Sequence, residues 1–170
     1  DNITLSITSS EAIQTPTVSI SGQNVPPSMV SDNITWSATY KMVEARDNGS
    51  VSLNIVFSDL AGNAGIPVNS TTNGSAVRFD KTAPTLLDNL TIASNNTLYT
   101  TMAKTGDNIT LSITSSEAIQ TPTVTIAGQN ATVTGSDNIT WSATYKMEED
   151  RDEGSVSLNI GFSDLAGNAG

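Results

Sequence analysis

Apolar and polar residues alternate along several short stretches of the chain. From 139 to 147 every second residue is apolar, and the residues between are Thr, Ser or Lys. The stretches 109–114 and 156–162 follow the same rule. A period of two residues is typical of strands with one buried and one wet face. The pattern therefore predicts β-strands, and no helical period competes with it.

Shorter apolar pairs add further strands between clusters of Gly, Asn and Asp. These pairs lie at 77–79, 90–92 and 124–126. About seven short strands per hundred residues, polar on one face, predict an all-β fold of two antiparallel sheets with Greek-key connections. Both tryptophans, Trp36 and Trp141, fall on apolar positions and are predicted to lie in the core.

The chain contains a long internal repeat. Residues 1–24 recur as 107–130 and residues 31–65 recur as 136–170, with 53 of 59 aligned positions identical. Between these blocks the second copy is one residue shorter, with ATVTG in place of VPPSMV. A period of 105 to 106 residues is too long for a solenoid turn and has the size of a domain. We therefore expect two similar domains in tandem.

Residues 66–106 occur once, between the two copies. They must provide the end of one domain and the start of the next. The predicted division is residues 1–80, a repeat that lacks its opening strands, and residues 81–170, a repeat that lacks its closing strand. The favoured explanation is a window from a longer array of repeats. The alternative is strand exchange, in which a neighbouring chain supplies the missing strand.

Composition narrows the function. Ser and Thr together fill 46 positions and Asn 16, whereas the chain has no Cys and no His. Ser-His-Asp catalysis, thiolate chemistry and ordinary zinc sites are therefore excluded. The net charge of −10 argues against nucleic acid, and no apolar run is long enough for a membrane helix. A disordered Ser/Thr-rich stalk is disfavoured because the apolar residues are periodic.

Several stretches resemble bacterial Ig-like repeats of very large secreted adhesins, and similar repeats occur in giant surface proteins of some single-celled eukaryotes. They are VRFDKTAPTL at 77–86, TIASNN at 91–96, GDNITLSITSSEAIQTPTVTIAGQ at 106–129, WSATYKM at 141–147 and FSDLAGNAG at 162–170. The resemblance covers essentially the whole chain. It implies tandem Ig-like sandwiches, an extracellular location, and long arrays that serve as stalks or filaments. It implies no catalysis.

Acidic residues suggest calcium at the domain junction. In an Ig-like sandwich, three of the predicted loops share one pole, and an acidic turn lies at the opposite pole. Carboxylate and amide oxygens suit calcium, and related adhesin arrays are often stiffened by calcium. The predicted ligands are Asp80, Glu117, Asp164, Asn168, Glu44 and Asp47. The alternatives are a turn cap at Asp80, an Asx-turn at Asp164, a solvated Glu117 and an acidic turn that serves only solubility.

Ten N-x-[ST] sequons predict a glycoprotein. They begin at Asn2, Asn33, Asn48, Asn69, Asn73, Asn89, Asn95, Asn108, Asn130 and Asn138. The alternative is an Asn- and Thr-rich strand surface that no enzyme modifies. Sequon occupancy would also test whether the repeat forms a glycan-bearing coat.

The leading hypothesis is a structural repeat segment of a giant extracellular surface protein, forming the shaft of a stalk, adhesin or filament. Its expected partners are further copies of the repeat, in tandem or in neighbouring chains, with N-linked glycans and calcium as candidates. We expect no enzyme, because the acids at 148–153 lie in an exposed turn that cannot raise a carboxyl pKa. The second hypothesis is an adhesive module that binds glycans or another cell surface. It would need an aromatic platform or a non-repeated loop, and we expect neither.

Overall fold

The computed structural model describes residues 1–43, 48–149 and 153–170. Regular structure in these residues consists of β-strands alone, so the predicted all-β fold is confirmed. The chain divides into two compact units, residues 1–81 and 82–170, one residue after the boundary expected from the repeat. No helix in the described part of the chain is long and apolar enough to cross a membrane.

The first unit contains eight strands among its described residues. They are β1 (Asn2–Thr8), β2 (Thr17–Ile20), β3 (Gln23–Val25), β4 (Ser28–Ser31), β5 (Thr35–Lys41), β6 (Gly49–Ser50), β7 (Leu53–Val56) and β8 (Arg78–Phe79). One sheet has the order β1-β5-β4 and a second has the order β3-β2-β7, while β6 and β8 form a short pair. All the pairs are antiparallel.

The second unit repeats the two larger sheets and adds one strand at an edge of the first of them. Its strands are β9 (Thr91–Ser94), β10 (Asn108–Thr114), β11 (Thr123–Ile126), β12 (Gln129–Asn130), β13 (Thr132–Gly135), β14 (Thr140–Lys146) and β15 (Leu158–Gly161). The two sheets have the orders β13-β14-β10-β9 and β12-β11-β15. Strand β9 pairs with the outer edge of β10, the edge that β1 leaves without a strand in the described part of the first unit.

The core of the second unit is built from the alternating apolar positions of both sheets. Leu111 and Ile113 on β10 and Ile126 on β11 are fully buried, and Trp141 on β14 packs in the same cluster. Each such side chain contributes roughly 1.5–3 kcal/mol through removal of apolar surface from water. Two sheets that share one apolar core are consistent with a β-sandwich. The predicted burial of both tryptophans is confirmed.

The two copies pair their central strands in the same register. Leu5 lies opposite Ala38 on β5, and Leu111 lies opposite Ala143 on β14. A shift of one residue would turn every apolar side chain of a strand towards water, so the alternation fixes the register. Identical sequence thus gives identical pairing in both units.

The one-residue difference between the copies is absorbed by a β-bulge. In the first copy Met29 lies opposite Trp36, but the next paired residue is Ser31, so Val30 is the extra residue and is exposed. The second copy has no bulge at this point and places Gly135 opposite Trp141. A Cβ atom on Gly135 would lie 2.5 Å from the Trp141 ring. The strand without a bulge therefore requires glycine at this position.

Candidate functional site

The DLAGNAG segment forms the same hydrogen-bonded loop in both copies. In the second copy the Asn168 backbone N–H donates to Asp164 Oδ1 at 2.8 Å, and the Asn168 side-chain amide donates to Asp164 Oδ2 at 2.7 Å. Asn63 donates to Asp59 at the same two distances in the first copy. Gly62 and Gly167 both take a φ of 96°, which disfavours residues with a Cβ. The same pair of hydrogen bonds thus fixes the conformation of this loop in both copies of the repeat.

The Asp164 carboxylate is buried, unlike its half-buried counterpart Asp59. Burial acts to raise the pKa of Asp164, but hydrogen bonds from Asn168, Gly167 and Ala166 outweigh it, so that the pKa is lowered overall. The pKa of Asp59 is lowered as well, chiefly by the side-chain hydrogen bond from Asn63. Both aspartates therefore act as charged acceptors at the centre of their loops.

Substitution of Asp164 with asparagine is expected to destabilise the second unit by about 1–3 kcal/mol near neutral pH, because an amide group would face the Asn168 amide. Folding lowers the pKa of the Asp164 carboxyl, so this group stabilises the folded protein fully when the pH is above its unfolded-state pKa, which is near 3.8. The stabilisation is lost as the pH falls through the folded-state pKa. The difference between wild type and Asp164→Asn should therefore shrink below about pH 4. Urea unfolding across this pH range measures it.

The matched change is Asp59→Asn in the other copy of the loop. It should have a smaller effect, because the Asp59 carboxylate is half-buried and water can replace part of what it loses. Equal effects of the two substitutions, or a difference between wild type and Asp164→Asn that does not decrease as the pH is lowered below about 4, would contradict this account of the loop.

Two of the six predicted calcium ligands lie close together within the second unit. One carboxylate oxygen of Glu117 lies within 4.8 Å of one of Asp164. Asp80 follows β8, Glu117 lies between β10 and β11, and Asp164 follows β15. Asp80 and Glu117 are half-buried. Such groups are common without an ion, so the closeness of the oxygens is a geometric fact and no evidence of binding.

The other predicted ligands have different positions. Asn168 donates to Asp164 through its backbone and side-chain N–H groups. Glu44 and Asp47, on the acidic turn of the first copy, lie outside the described residues. Their part in a calcium site stays a prediction.

The ten sequon asparagines lie at the surface. Nine are exposed and Asn33 is half-buried. The side chain of Asn89 donates from Nδ2 to Thr114 Oγ1 at 3.1 Å, so its amide nitrogen is engaged. Exposure makes the others sterically available for modification, and the glycoprotein hypothesis remains a prediction.

Three exposed apolar residues lie in the segment that occurs only once. Leu98, Tyr99 and Met102 are 82%, 69% and 64% exposed. Tyr99 is a single exposed aromatic residue and not a platform, so the expectation that the chain has no aromatic platform stays a prediction. Because these residues do not alternate with polar residues, the sequence pattern predicted no strand for them. Only their apolar character within an Asn- and Thr-rich segment could have indicated an exposed contact surface.

Hydrogen bonds shape the loop that carries these residues. Asn96 Oδ1 accepts the backbone N–H groups of Leu98 and Tyr99 at 3.0 and 3.3 Å, and the Asn96 amide donates to Asp107 at 2.9 Å. The backbone N–H of Lys104 also donates to Asp107, and this bond is the main cause of the lowered pKa of Asp107. These hydrogen bonds fix the backbone of the loop that carries the exposed apolar side chains.

Comparison with known proteins identifies no relative. No protein-family model matches the chain, and neither a curated protein nor a solved structure matches it. The fold and the side-chain geometry above are therefore the basis for any statement about function.

Proposed function

We propose that the chain is a structural segment of a giant extracellular surface protein, in which tandem Ig-like Greek-key sandwiches form the shaft of a stalk, adhesin or filament. The observation that carries this proposal is the duplication of one β-unit with one register, Leu5 against Ala38 and Leu111 against Ala143. The two copies are identical at 53 of 59 aligned positions. Each further copy of such a domain-sized unit adds length to the protein. A strand of seven residues spans about 23 Å.

The surface chemistry supports an exposed shaft. The outward positions of the paired strands are Ser and Thr, for example Thr4 and Thr39, whose hydroxyl oxygens lie 3.1 Å apart across β1 and β5. Cross-strand Thr pairs stabilise a wet sheet face without charge. A net charge of −10 over 170 residues also opposes aggregation of an exposed polymer.

Immunogold electron microscopy of the source cells tests the location and the role together. Antibodies against the 170-residue chain should label extended surface structures at many points along their length, because the epitope repeats. Pre-immune serum is the control. Labelling confined to the cell interior, or one gold particle at the tip of each appendage, would overturn the shaft proposal.

Calcium at the predicted ligands is part of the same proposal. Calcium binds six to eight oxygens at 2.3–2.6 Å, so two ligand oxygens on one ion lie at most about 5 Å apart. The oxygens of Glu117 and Asp164, both in the second unit, satisfy this limit. The remaining ligands would be backbone oxygens, the Asn168 side-chain oxygen or water.

Calorimetric titration of the chelator-treated chain with calcium should give binding heat and a higher melting temperature at millimolar calcium. Glu117→Gln should weaken binding, whereas Glu11→Gln, at the same position of the first copy, should leave it unchanged. Absence of heat and of a melting shift at millimolar calcium would refute the calcium proposal. Equal effects of the two variants would refute the assigned ligands.

Glycosylation is tested on native material. Mass spectrometry of the protein isolated from its source should find N-linked glycans on several exposed sequons, with Asn33 and Asn89 the least occupied for the reasons of burial and bonding given above. Unmodified asparagine at all ten positions would remove the glycoprotein proposal.

A second candidate function, adhesion to glycans or another cell surface, is favoured by the exposed Tyr99 and Leu98. Aromatic residues on bonded loops are frequent contact residues in binding surfaces. Binding to a glycan array that is lost in Tyr99→Ser, with the fold unchanged by circular dichroism, would support adhesion. Equal binding by Tyr99→Ser would remove Tyr99 from the candidate surface.

A further inference from the structure

The tripeptide Asn-Gly-Ser occurs twice in the chain, at 48–50 and at 73–75, and both copies lie in the first unit. An asparagine that precedes glycine is chemically labile, because glycine has no Cβ to hinder approach of its backbone nitrogen to the asparagine side chain. Attack of that nitrogen on the side-chain carbonyl carbon closes a five-membered ring. The structure gives the two identical tripeptides different surroundings, so their reactivity should differ.

The tripeptide at 73–75 lies in a turn whose hydrogen bonds stay within residues 71–75. The Ser75 backbone N–H donates to Asn73 Oδ1 at 3.0 Å, and the Thr71 hydroxyl donates to the Ser75 carbonyl at 2.7 Å. Gly74 has a φ of 73° and belongs to none of the fifteen strands. The bond from Ser75 keeps the Asn73 carboxamide beside the backbone that follows it, and it stabilises the negative charge that attack places on Oδ1.

The tripeptide at 48–50 is joined to a distant part of the same unit. The Lys81 backbone N–H donates to Asn48 Oδ1 at 3.0 Å, across 33 residues of sequence. Gly49 belongs to β6, which pairs with β8. Just beyond this pair the Val51 N–H donates to the Val77 carbonyl at 2.9 Å. Ring closure at Asn48 therefore requires local opening of this pairing and release of its carboxamide.

We propose that Asn73 is a site of spontaneous deamidation and that the fold protects Asn48 from the same reaction. The Gly74 nitrogen bonds to Asn73 Cγ, the Cγ–Nδ2 bond breaks, and the displaced proton leaves with Nδ2 as ammonia. Water then opens the ring at either of its carbonyl groups, which gives aspartate or isoaspartate. The reaction needs no enzyme, metal or oxidant. Each conversion adds one negative charge, and isoaspartate also lengthens the backbone by one carbon.

Deamidation at Asn73 would compete with glycosylation. Asn73 begins one of the ten sequons, and its Nδ2 is both the atom that would carry a glycan and the atom that leaves as ammonia. Conversion to aspartate or isoaspartate removes the sequon. The inference goes beyond the proposed shaft and rests on neither that proposal nor glycosylation, so its failure would leave both standing.

The test follows both asparagines in one sample. The unglycosylated 170-residue chain, expressed in a bacterial host, is incubated at mildly alkaline pH, which favours loss of the glycine amide proton. Samples taken over time are digested with an acid protease, and mass spectrometry against synthetic peptide standards measures aspartate and isoaspartate at each site. We expect Asn73 to convert about tenfold faster than Asn48 or more, because the β6–β8 pairing is open for only part of the time.

The same incubation in concentrated urea is the matched control. Unfolding removes the turn and the β6–β8 pairing, and both sites then have the sequence Asn-Gly-Ser, so their rates should become similar. A second control is Asn73→Gln, which places the side-chain amide one carbon farther from the Gly74 nitrogen. This variant should show no conversion at position 73 and an unchanged rate at Asn48.

Four results would overturn the inference. They are no conversion at Asn73 in the folded chain, equal rates at the two sites, faster conversion at Asn48, and a tenfold difference that persists in urea. In the last case the flanking sequence, and not the fold, would control the reaction. A difference present in the folded chain and lost in urea would support it.

Discussion

Substitution of Leu111 with alanine is expected to destabilise the second unit by about 2–5 kcal/mol, while Leu5→Ala should destabilise the first unit by about 1 kcal/mol. Both leucines occupy the same position of an identical strand, opposite alanine in both cases. Leu111 is fully buried, so its removal leaves a cavity enclosed by both sheets. Leu5 borders an open groove, and water or neighbouring side chains fill the space it leaves.

Each unit contains one tryptophan, which allows the two unfolding transitions to be separated. Denaturant titrations in a Trp36→Phe background report the second unit, and titrations in a Trp141→Phe background report the first. Equal costs for Leu5→Ala and Leu111→Ala without peptide would contradict the difference in burial on which this expectation rests.

The alternation of apolar residues predicted the central strands and their buried faces. Trp141 and Ala143 of β14 are buried, because only one face of each sheet packs against the other. Alignment of the two copies also predicted a division at residue 80, and the two compact units of the structure divide after Lys81. These features are local or periodic, and a single sequence carries them directly.

Features that depend on contacts between residues far apart in the sequence could not be predicted from the alternation. Ile3 and Ile109 have the same neighbours in sequence, yet only Ile109 is buried, since its cover comes from β9. The β-bulge at Val30 was visible only as a one-residue difference in length, because nothing in VPPSMV indicates which residue leaves the ladder. The closeness of Glu117 and Asp164 within the second unit was inferred from the assumed connection of strands, and their carboxylates do lie near each other.

The loop that presents Tyr99 illustrates a different limit. Its conformation depends on Asn96, which accepts two backbone N–H groups and donates to Asp107 across the loop. Side-chain to backbone bonds of this kind have no period, so a search for alternating residues passes over them. Exposure of Tyr99 follows from that bonding and not from any strand pattern.

Substitution of Trp141 with alanine should have the largest effect of any single change in the second unit, about 3–5 kcal/mol. Its ring is 5% exposed and packs in the core cluster of both sheets. A domain of this size has about 5–15 kcal/mol of total stability, so the variant should be partly unfolded at physiological temperature. In the Trp36→Phe background this variant contains no tryptophan, so tryptophan signals cannot report its unfolding. Hydrogen exchange of the backbone amides around Leu111 measures the loss of stability instead.

The conservative change Trp→Phe separates the ring from its N–H group. Trp36 donates from Nε1 to the Asn33 carbonyl at 3.3 Å, whereas Trp141 Nε1 is buried and has no hydrogen-bond partner among the described residues. Trp36→Phe therefore loses a hydrogen bond of about 0.5–1.5 kcal/mol in addition to ring volume, and Trp141→Phe loses volume alone while it removes an unsatisfied donor. We expect Trp141→Phe to be the milder change. A larger cost for Trp141→Phe than for Trp36→Phe would mean that the Trp141 N–H has a partner, such as a buried water, that stabilises the second core.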